Sequence, residues 1–525
     1  MRASFLIFFL FLFFFHFSFS QAPDSIVRFS EVTFNSDFER EYFTRLIQEN
    51  DKENLLPLFL GCDETSTAAS LLSAENKMKH IYSILDKEGI DKKSEAKKIK
   101  TIYKTVHSSF LKKYEFENNF TDIFKNGNYN CLSATALYSL FLEKYKIPYT
   151  IKETPNHVFL IAYPETLKIL IETTNPVSGY FQYSDAFIEK YVEDLKKAKL
   201  ISESEYISSS KSDLFNKYFF KNEDINLKQL VGLQYYNLSL YKSSKEKYKE
   251  GFQDLQKAYL LYPSEGIKYL LKNTLLMLLS KSDYDKTEEI QYYIYISRFI
   301  HDNNEIINTN ILSDEFSRIT NKQLIDKSNF DLYKRTYALV SKNITDTVLK
   351  KEIDYIYNYE YARAILHAEK DEDIRPNLQI IYALHPDNIN VQSIIGAYVT
   401  NKIIPLNNPQ LILKELEVYI KDYYFLGKNN KIARVFSSCY LEIAAQNFAQ
   451  NEVKKGEEHL QKFEEFIKDK DKSVVMEVYI EKCYSLAAAS YYKRGNYDKA
   501  KAILKQGLEY APGNYHLMSR LNSID

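Results

Sequence analysis

An α+β unit with a short antiparallel sheet, followed by an all-α solenoid of helical repeats, is the architecture this sequence predicts. Three observations lead there. Glycine and proline number only 13 and 12 in 525 residues, against roughly 7% and 5% in an average chain, so turns are few and helices dominate. Runs of strand-forming residues are confined to positions 149–174. Beyond about residue 225, apolar residues recur at helical spacing, with small residues at repeating positions. The length itself requires more than one core.

The first twenty residues, "MRASFLIFFLFLFFFHFSFS", carry one early charge at Arg2, an apolar run from Phe5 to Phe15, and small residues at Ser18 and Ser20. They read as a secretory signal peptide cut between Ser20 and Gln21. The run is shorter than the ~20 residues a spanning helix needs. The mature chain is therefore expected to be exported, periplasmic or extracellular, with no stable membrane span.

Residues 21–200 form the expected α+β domain, with its core at about 76–180. "DFEREYFTRLIQEN" has a helical pattern, and "ENLLPLFLGC" is a short apolar patch. Two amphipathic helices follow between Asn76 and Tyr114, marked by Ile81, Ile84 and Leu85, then by Ala96, Ile99, Ile102, Val106 and Phe110. After the turn "NGNYN", Leu132, Ala136, Leu137, Leu140 and Phe141 define a helix opening at Cys131 and ending before Pro148. "YTIKE", "HVFLIAY" and "LKILIETT" are three strands, the last two joined by a turn at "PETL".

The serine-rich stretch 201–224 is the expected linker. Residues 225–525 then read as helical hairpins, clearest at 232–265, 437–470 and 481–514. In the last of these, Tyr484, Ala487, Ala488 and Tyr491 mark the first helix, Gly495 the turn, Ala500, Leu504 and Gly507 the second helix, and Pro512 its close. Small residues let the paired helices approach and large ones fill the gaps between hairpins. The pattern resembles the tetratricopeptide repeat. Tyr440, Ile443, Ala444, Gly456, Leu460 and Phe463 fit the same frame, as do Tyr235, Leu238, Gly251, Leu255, Ala258 and Pro263.

Charge balance excludes one class of function. Lys and Arg total 69 against 70 for Asp and Glu, so no basic surface is expected for nucleic acid. No phosphate-binding glycine motif occurs. The four cysteines, Cys62, Cys131, Cys439 and Cys483, are too few and too scattered for a disulfide framework or a zinc site. No metal or other cofactor is expected. Cys439 and Cys483 sit at equivalent places in two repeats and read as packing residues.

Cys131 is different in its context. A thiol attacks as thiolate, and a free one titrates near ~8.5; a helix start and a neighbouring imidazole both favour the charged form. His157 opens a strand and Glu172 ends the next, so the ring can reach the thiol on one side and the acid on the other. This requires even parity in the pairing of the two strands. Asn130 is a candidate for the oxyanion site, beside the Cys131 backbone N–H. His80 and His107 lie on amphipathic helices and read as surface or partly packed.

Cysteine at a helix start, histidine opening a strand and an acid closing the next resemble the transglutaminase-like superfamily of papain-like cysteine proteins, over about residues 100–180. The resemblance implies amide hydrolysis or acyl transfer, with Cys131 as nucleophile, His157 as proton carrier and Glu172 orienting the ring. The family acid is usually Asp, and the tryptophans of its cross-linking members are absent here. Two functions follow: an exported cysteine hydrolase or acyltransferase whose repeats dock a protein, or a non-catalytic adaptor binding proteins or peptides on the concave face of its repeats.

Overall fold

A computed structural model describes residues 25–49, 54–154, 157–174, 179–181, 185–197, 200–219, 224–302 and 306–524; the segment read as a signal peptide lies outside them. The chain divides into two compact units, one ending at Ile307 and one beginning at Asn308. The architecture is mostly helical, with a small antiparallel sheet and helical hairpins. Among the described residues no helix is long and apolar enough to cross a membrane.

The first unit opens with α1 (Asp37–Gln48) and α2 (Leu56–Gly61). Helix α3 (Ala68–Lys87) begins earlier than its apolar spacing suggests, because the Thr67 hydroxyl caps it by accepting from the Ser70 N–H. Helix α4 (Glu95–Phe110) buries Ile99, Ile102, Val106 and Phe110 of the expected stripe, while Ala96, in its first turn, is exposed. A two-residue parallel pair, β1 (Lys113–Tyr114) with β2 (Asn128–Tyr129), brackets the short α5 (Asp122–Lys125) and leads into α6 (Cys131–Lys144). Helix α6 is buried along almost its whole length, as expected of a helix hydrophobic all round.

The strands β3 (Tyr149–Thr154), β4 (His157–Ala162) and β5 (Ile169–Ile171) follow as expected. Two further strands extend them: β6 (Tyr180–Phe181) and β7 (Asp224–Ile225), giving the antiparallel order β6-β5-β4-β3-β7. Between these two, α7 (Asp185–Lys197), α8 (Glu203–Ser208) and α9 (Lys211–Phe219) occupy the stretch that includes the expected linker. Val192, Ile201, Leu214 and Phe215 form a small core there. The serines that suggest a linker serve as helix caps: Ser202 Oγ accepts from Glu205 N–H.

The first hairpin, α10 (Leu227–Ser244) and α11 (Tyr248–Leu261), belongs to the same compact unit as the sheet, as do α12 (Glu265–Ser280) and α13 (Thr287–Ser297). The expected boundary near 201–224 and the division at Ile307 therefore do not coincide. The physical reason is a buried polar network. Lys257 of α11 is fully buried; its ammonium pairs with Glu39 of α1 at 2.7 Å and with Asp254 at 3.2 Å. The Tyr235 hydroxyl donates to the same Glu39 at 2.8 Å, and Lys242 pairs with Asp254 at 2.6 Å. Burial alone would push the Lys257 amine down, but Asp254 and Glu39 outweigh it and hold the amine protonated.

The second unit is helical from α14 (Thr309–Thr320) through a π-turn at Asn321–Asp326 to α15 (Phe330–Asn343), α16 (Thr347–His367), α17 (Arg375–Leu384), α18 (Ile389–Ile403) and α19 (Pro409–Asp422). Its clearest hairpins are α20 (Asn430–Ala449) with α21 (Val453–Ile467) and α22 (Glu477–Lys493) with α23 (Tyr497–Tyr510), before the closing α24 (Tyr515–Asn522). Ala487, Ala500 and Leu504 are fully buried in one continuous core with Phe463 and Tyr484. Gly495 turns between the last paired helices at φ +76°. Gly507 lets them meet: a Cβ there would stand 2.8 Å from Cγ of Tyr484.

Two outcomes check these packing arguments. Lys257→Met leaves Glu39 buried without its cation and is expected to cost about 3–5 kcal/mol in denaturant unfolding; a loss below about 1 kcal/mol means that Tyr235 alone suffices for Glu39. Gly507→Ala is expected to lose about 1–3 kcal/mol through overpacking. Gly396→Ala, on α18 with open space around its Cα, is expected to gain up to about 1 kcal/mol. Equal effects at the two glycines would refute close approach as the reason for Gly507.

Candidate functional site

Cys131 is the first residue of α6 and is half-buried, while the other three cysteines are buried; all four are free thiols. Asn130 caps this helix. Its side-chain oxygen accepts from Ser133 N–H at 2.9 Å, and its own N–H donates to Ser133 Oγ at 2.9 Å. Its amide nitrogen donates to the Phe116 carbonyl at 3.1 Å. Both ends of the Asn130 side chain are thus engaged in holding the helix start. The helix start still offers backbone N–H groups, which lack partners within the helix.

The strand register brings the other two groups together. Leu160 pairs with Ile171 and Ile161 with Leu170. His157 lies three residues before Leu160 and Glu172 one after Ile171, so both project from the same side of the sheet. His157 Nε2 stands 2.8 Å from Glu172 Oε2. The other Glu172 oxygen accepts from Thr174, at 3.1 Å from its N–H and 2.6 Å from its hydroxyl. The carboxylate is therefore held at both oxygens. Its backbone is fixed as well: Glu172 N–H donates to the Gly179 carbonyl at 2.5 Å, and the Tyr103 hydroxyl donates to the Glu172 carbonyl at 3.4 Å. A Cβ on Gly179 would fall 2.1 Å from Tyr103 Oη, which explains glycine at that position.

The Cys131 thiol is the strongest influence on the His157 imidazole, which it raises. With Nε2 engaged by Glu172, Nδ1 is the ring nitrogen that can face a second partner. Threonines set the depth of the helix against the strands. Thr135 Oγ1 donates to the Val158 carbonyl at 3.3 Å and shares a hydrogen bond with Thr173 Oγ1 at 3.3 Å; Thr173 in turn donates to the Cys131 carbonyl at 3.4 Å. Thr173 thus joins the helix start to the residue beside Glu172.

Electrostatics follow the geometry. Cys131, then Glu172, raise the His157 imidazole to about 10, against opposing burial. Burial would raise the Glu172 carboxyl, but the His157 and Thr174 hydrogen bonds outweigh it and hold the group below the usual carboxylate range. An imidazolium between a sulfur and a carboxylate is the state these groups favour.

Of the residues expected in the site, His157 and Glu172 pair, Cys131 influences the same imidazole from the start of α6, and Asn130 caps that helix. His107 stacks on Tyr103 at 5.7 Å and meets the edge of Tyr129 at 6.0 Å, so it is a packed residue of the layer behind; burial lowers its imidazole. His80 lines a groove of about 710 Å³ with Lys77, Lys112 and Phe124, apart from the three groups. Sequence reading missed Thr173, Thr174 and Tyr103. The two threonines stand beside the acid in "IETT"; Tyr103 arrives from α4 and leaves no local signal.

No protein-family model and no curated protein matches the chain. Among solved structures, "Structure of Naa15/Naa10 bound to HypK-THB" matches at 12% identity over 65% of this chain and 64% of that chain, with a TM-score of 0.12. This chain spans slightly under two thirds of that one, and a likeness at that score carries no argument.

A pH dependence follows. The folded-state value of His157 lies above the ordinary ~6.5 of histidine, so its stabilising contribution is complete below that pH and is lost as pH rises through about 10. NMR of the ring is expected to show titration near 10, moving down in Cys131→Ser because sulfur is the largest contributor. A ring that titrates near ~6.5 in the unmodified protein contradicts the pairing.

Proposed function

We propose that the first unit is a cysteine-dependent amide hydrolase or acyltransferase of transglutaminase-like build, in an exported protein whose helical repeats dock a protein partner or substrate. The observation that supports this reading is the His157–Glu172 pair at 2.8 Å, with Cys131 the leading influence on the same imidazole. The thiolate attacks the carbonyl carbon of an amide, and the C–N bond then breaks as His157 delivers its proton to the departing amine. This leaves an acyl thioester on Cys131. Water or a second amine attacks that thioester, His157 takes the incoming proton, and the C–S bond breaks to release acid or new amide. Glu172 keeps the ring oriented and stabilises its charge throughout. The first-turn N–H groups of α6 are suited to the oxyanion.

A second reading rests on a different observation. The second unit has its own core and carries none of the three groups. A protein with so much helical-hairpin structure outside the site suits a non-catalytic adaptor that binds a protein or peptide on the concave face of its repeats.

Alkylation separates the two. Burial raises the thiols of Cys62 and Cys483 and puts Cys439 at about 11, so these three serve as internal silent controls. Iodoacetamide at pH 6, read by peptide mass spectrometry, is expected to label Cys131 selectively. The rate should fall at least about tenfold in His157→Ala, in line with loss of an activating base. Labelling that is equally slow with and without His157 supports the adaptor.

A further inference from the structure

We infer that the first helical hairpin completes the reaction site: Tyr241 of α10, with Phe116 and Tyr114, forms an aromatic wall beside Cys131 that selects acyl substrates with an aromatic or large apolar side chain. This inference rests on Cys131 being the nucleophile.

The wall is built by the backbone. Tyr114 is paired with Tyr129 in the β1–β2 ladder. The Glu115 N–H continues it by donating to the Tyr129 carbonyl at 2.8 Å, and Asn130 reaches the Phe116 carbonyl. Residues 114–116 thus run beside residues 129–130, and Asn130 is the immediate chain neighbour of Cys131. Tyr241 enters from the hairpin and donates to the same Phe116 carbonyl at 2.7 Å. Its ring meets that of Phe116 edge-on at 6.0 Å, and Tyr114 meets Tyr129 edge-on at 5.9 Å. Burial, then the charge of Cys131, push the Tyr241 phenol up to about 12, and the same two influences raise Tyr114.

The character of the wall sets the substrate. Phe116 is 72% exposed and Tyr114 47% exposed, so these rings gain little from folding and remain available to a ligand. The neighbouring charges are matched: Lys113 with Glu115, and Lys245 with Glu117 at 2.8 Å. The wall thus presents aromatic faces flanked by these two ion pairs, which favours an apolar side chain over a charged one. The hairpin is fixed in place by Tyr262, whose hydroxyl donates to Glu153 of β3 at 2.7 Å.

The test uses the full chain and two peptidyl chloromethyl ketones, identical except for Phe or Ala next to the electrophile. Cys131 modification is expected to be at least about tenfold faster with the Phe probe, the discrimination an apolar pocket provides. That ratio should fall below about threefold in Phe116→Ser, an exposed position that does not threaten folding, and in Tyr241→Ala. A general loss of thiol reactivity slows both probes and leaves the ratio intact. A ratio near one in the unmodified protein, or one that survives both substitutions, overturns the wall. If Cys131 alkylation still depends on His157 in that case, the triad stands; if it does not, the triad itself fails.

Discussion

A lysine with no access to water organises the amino-terminal unit. Lys257 is fully buried, and Glu39 and Asp254 are 1% exposed. Removing such charges from water costs several kcal/mol each unless they are paired and hydrogen-bonded. Glu39 comes from the first helix of the fold, Lys257 and Asp254 from the second helix of the first hairpin, and Tyr235 from its first helix. The charges can be satisfied only when these elements are assembled. The network therefore ties the hairpin to the α+β core, and strand β7 does the same at the sheet edge, where Ile225 pairs with Ile151. This is why the compact unit runs past the sheet to Ile307.

The thiol site depends on that assembly. Cys131 is set by its cap, Asn130, and by Thr173. Asn130 is tethered to Phe116, whose carbonyl also receives Tyr241 from the hairpin. His157 and Glu172 are set by strand register and by Thr174. Each group of the trio is thus held by at least one neighbour from a different segment. Such fixing matters because proton transfer between sulfur and imidazole requires geometry held to a fraction of an ångström.

Much of this was legible locally. The helix opening at Cys131 follows from an asparagine cap before an apolar run. The strands follow from β-branched and aromatic runs, and the hairpins from recurring small residues: Gly507 lies against Tyr484 and Gly456 against Phe448. Capping and oxyanion donation draw on the same residue type at the same place, so local sequence does not separate them; the structure shows the capping bonds of Asn130. The serine-rich stretch was read as a linker because caps and linkers share a composition. Tyr241 carries no signal at all: in sequence it is one more tyrosine on a helix of a hairpin, and its meaning lies in a contact across 125 positions.

The sequence by itself determined the main helices, the three central strands, the clearest helical hairpins, and the order of cysteine, histidine and acid along the chain, because these depend on interactions within a few turns or one strand pair. Tertiary structure alone decided that His157 and Glu172 share a face, that Lys257 is buried against Glu39, and that Tyr241 of the first hairpin meets Phe116. Those outcomes depend on the desolvation of charges and on register between distant segments, and neither is encoded in any short window of residues.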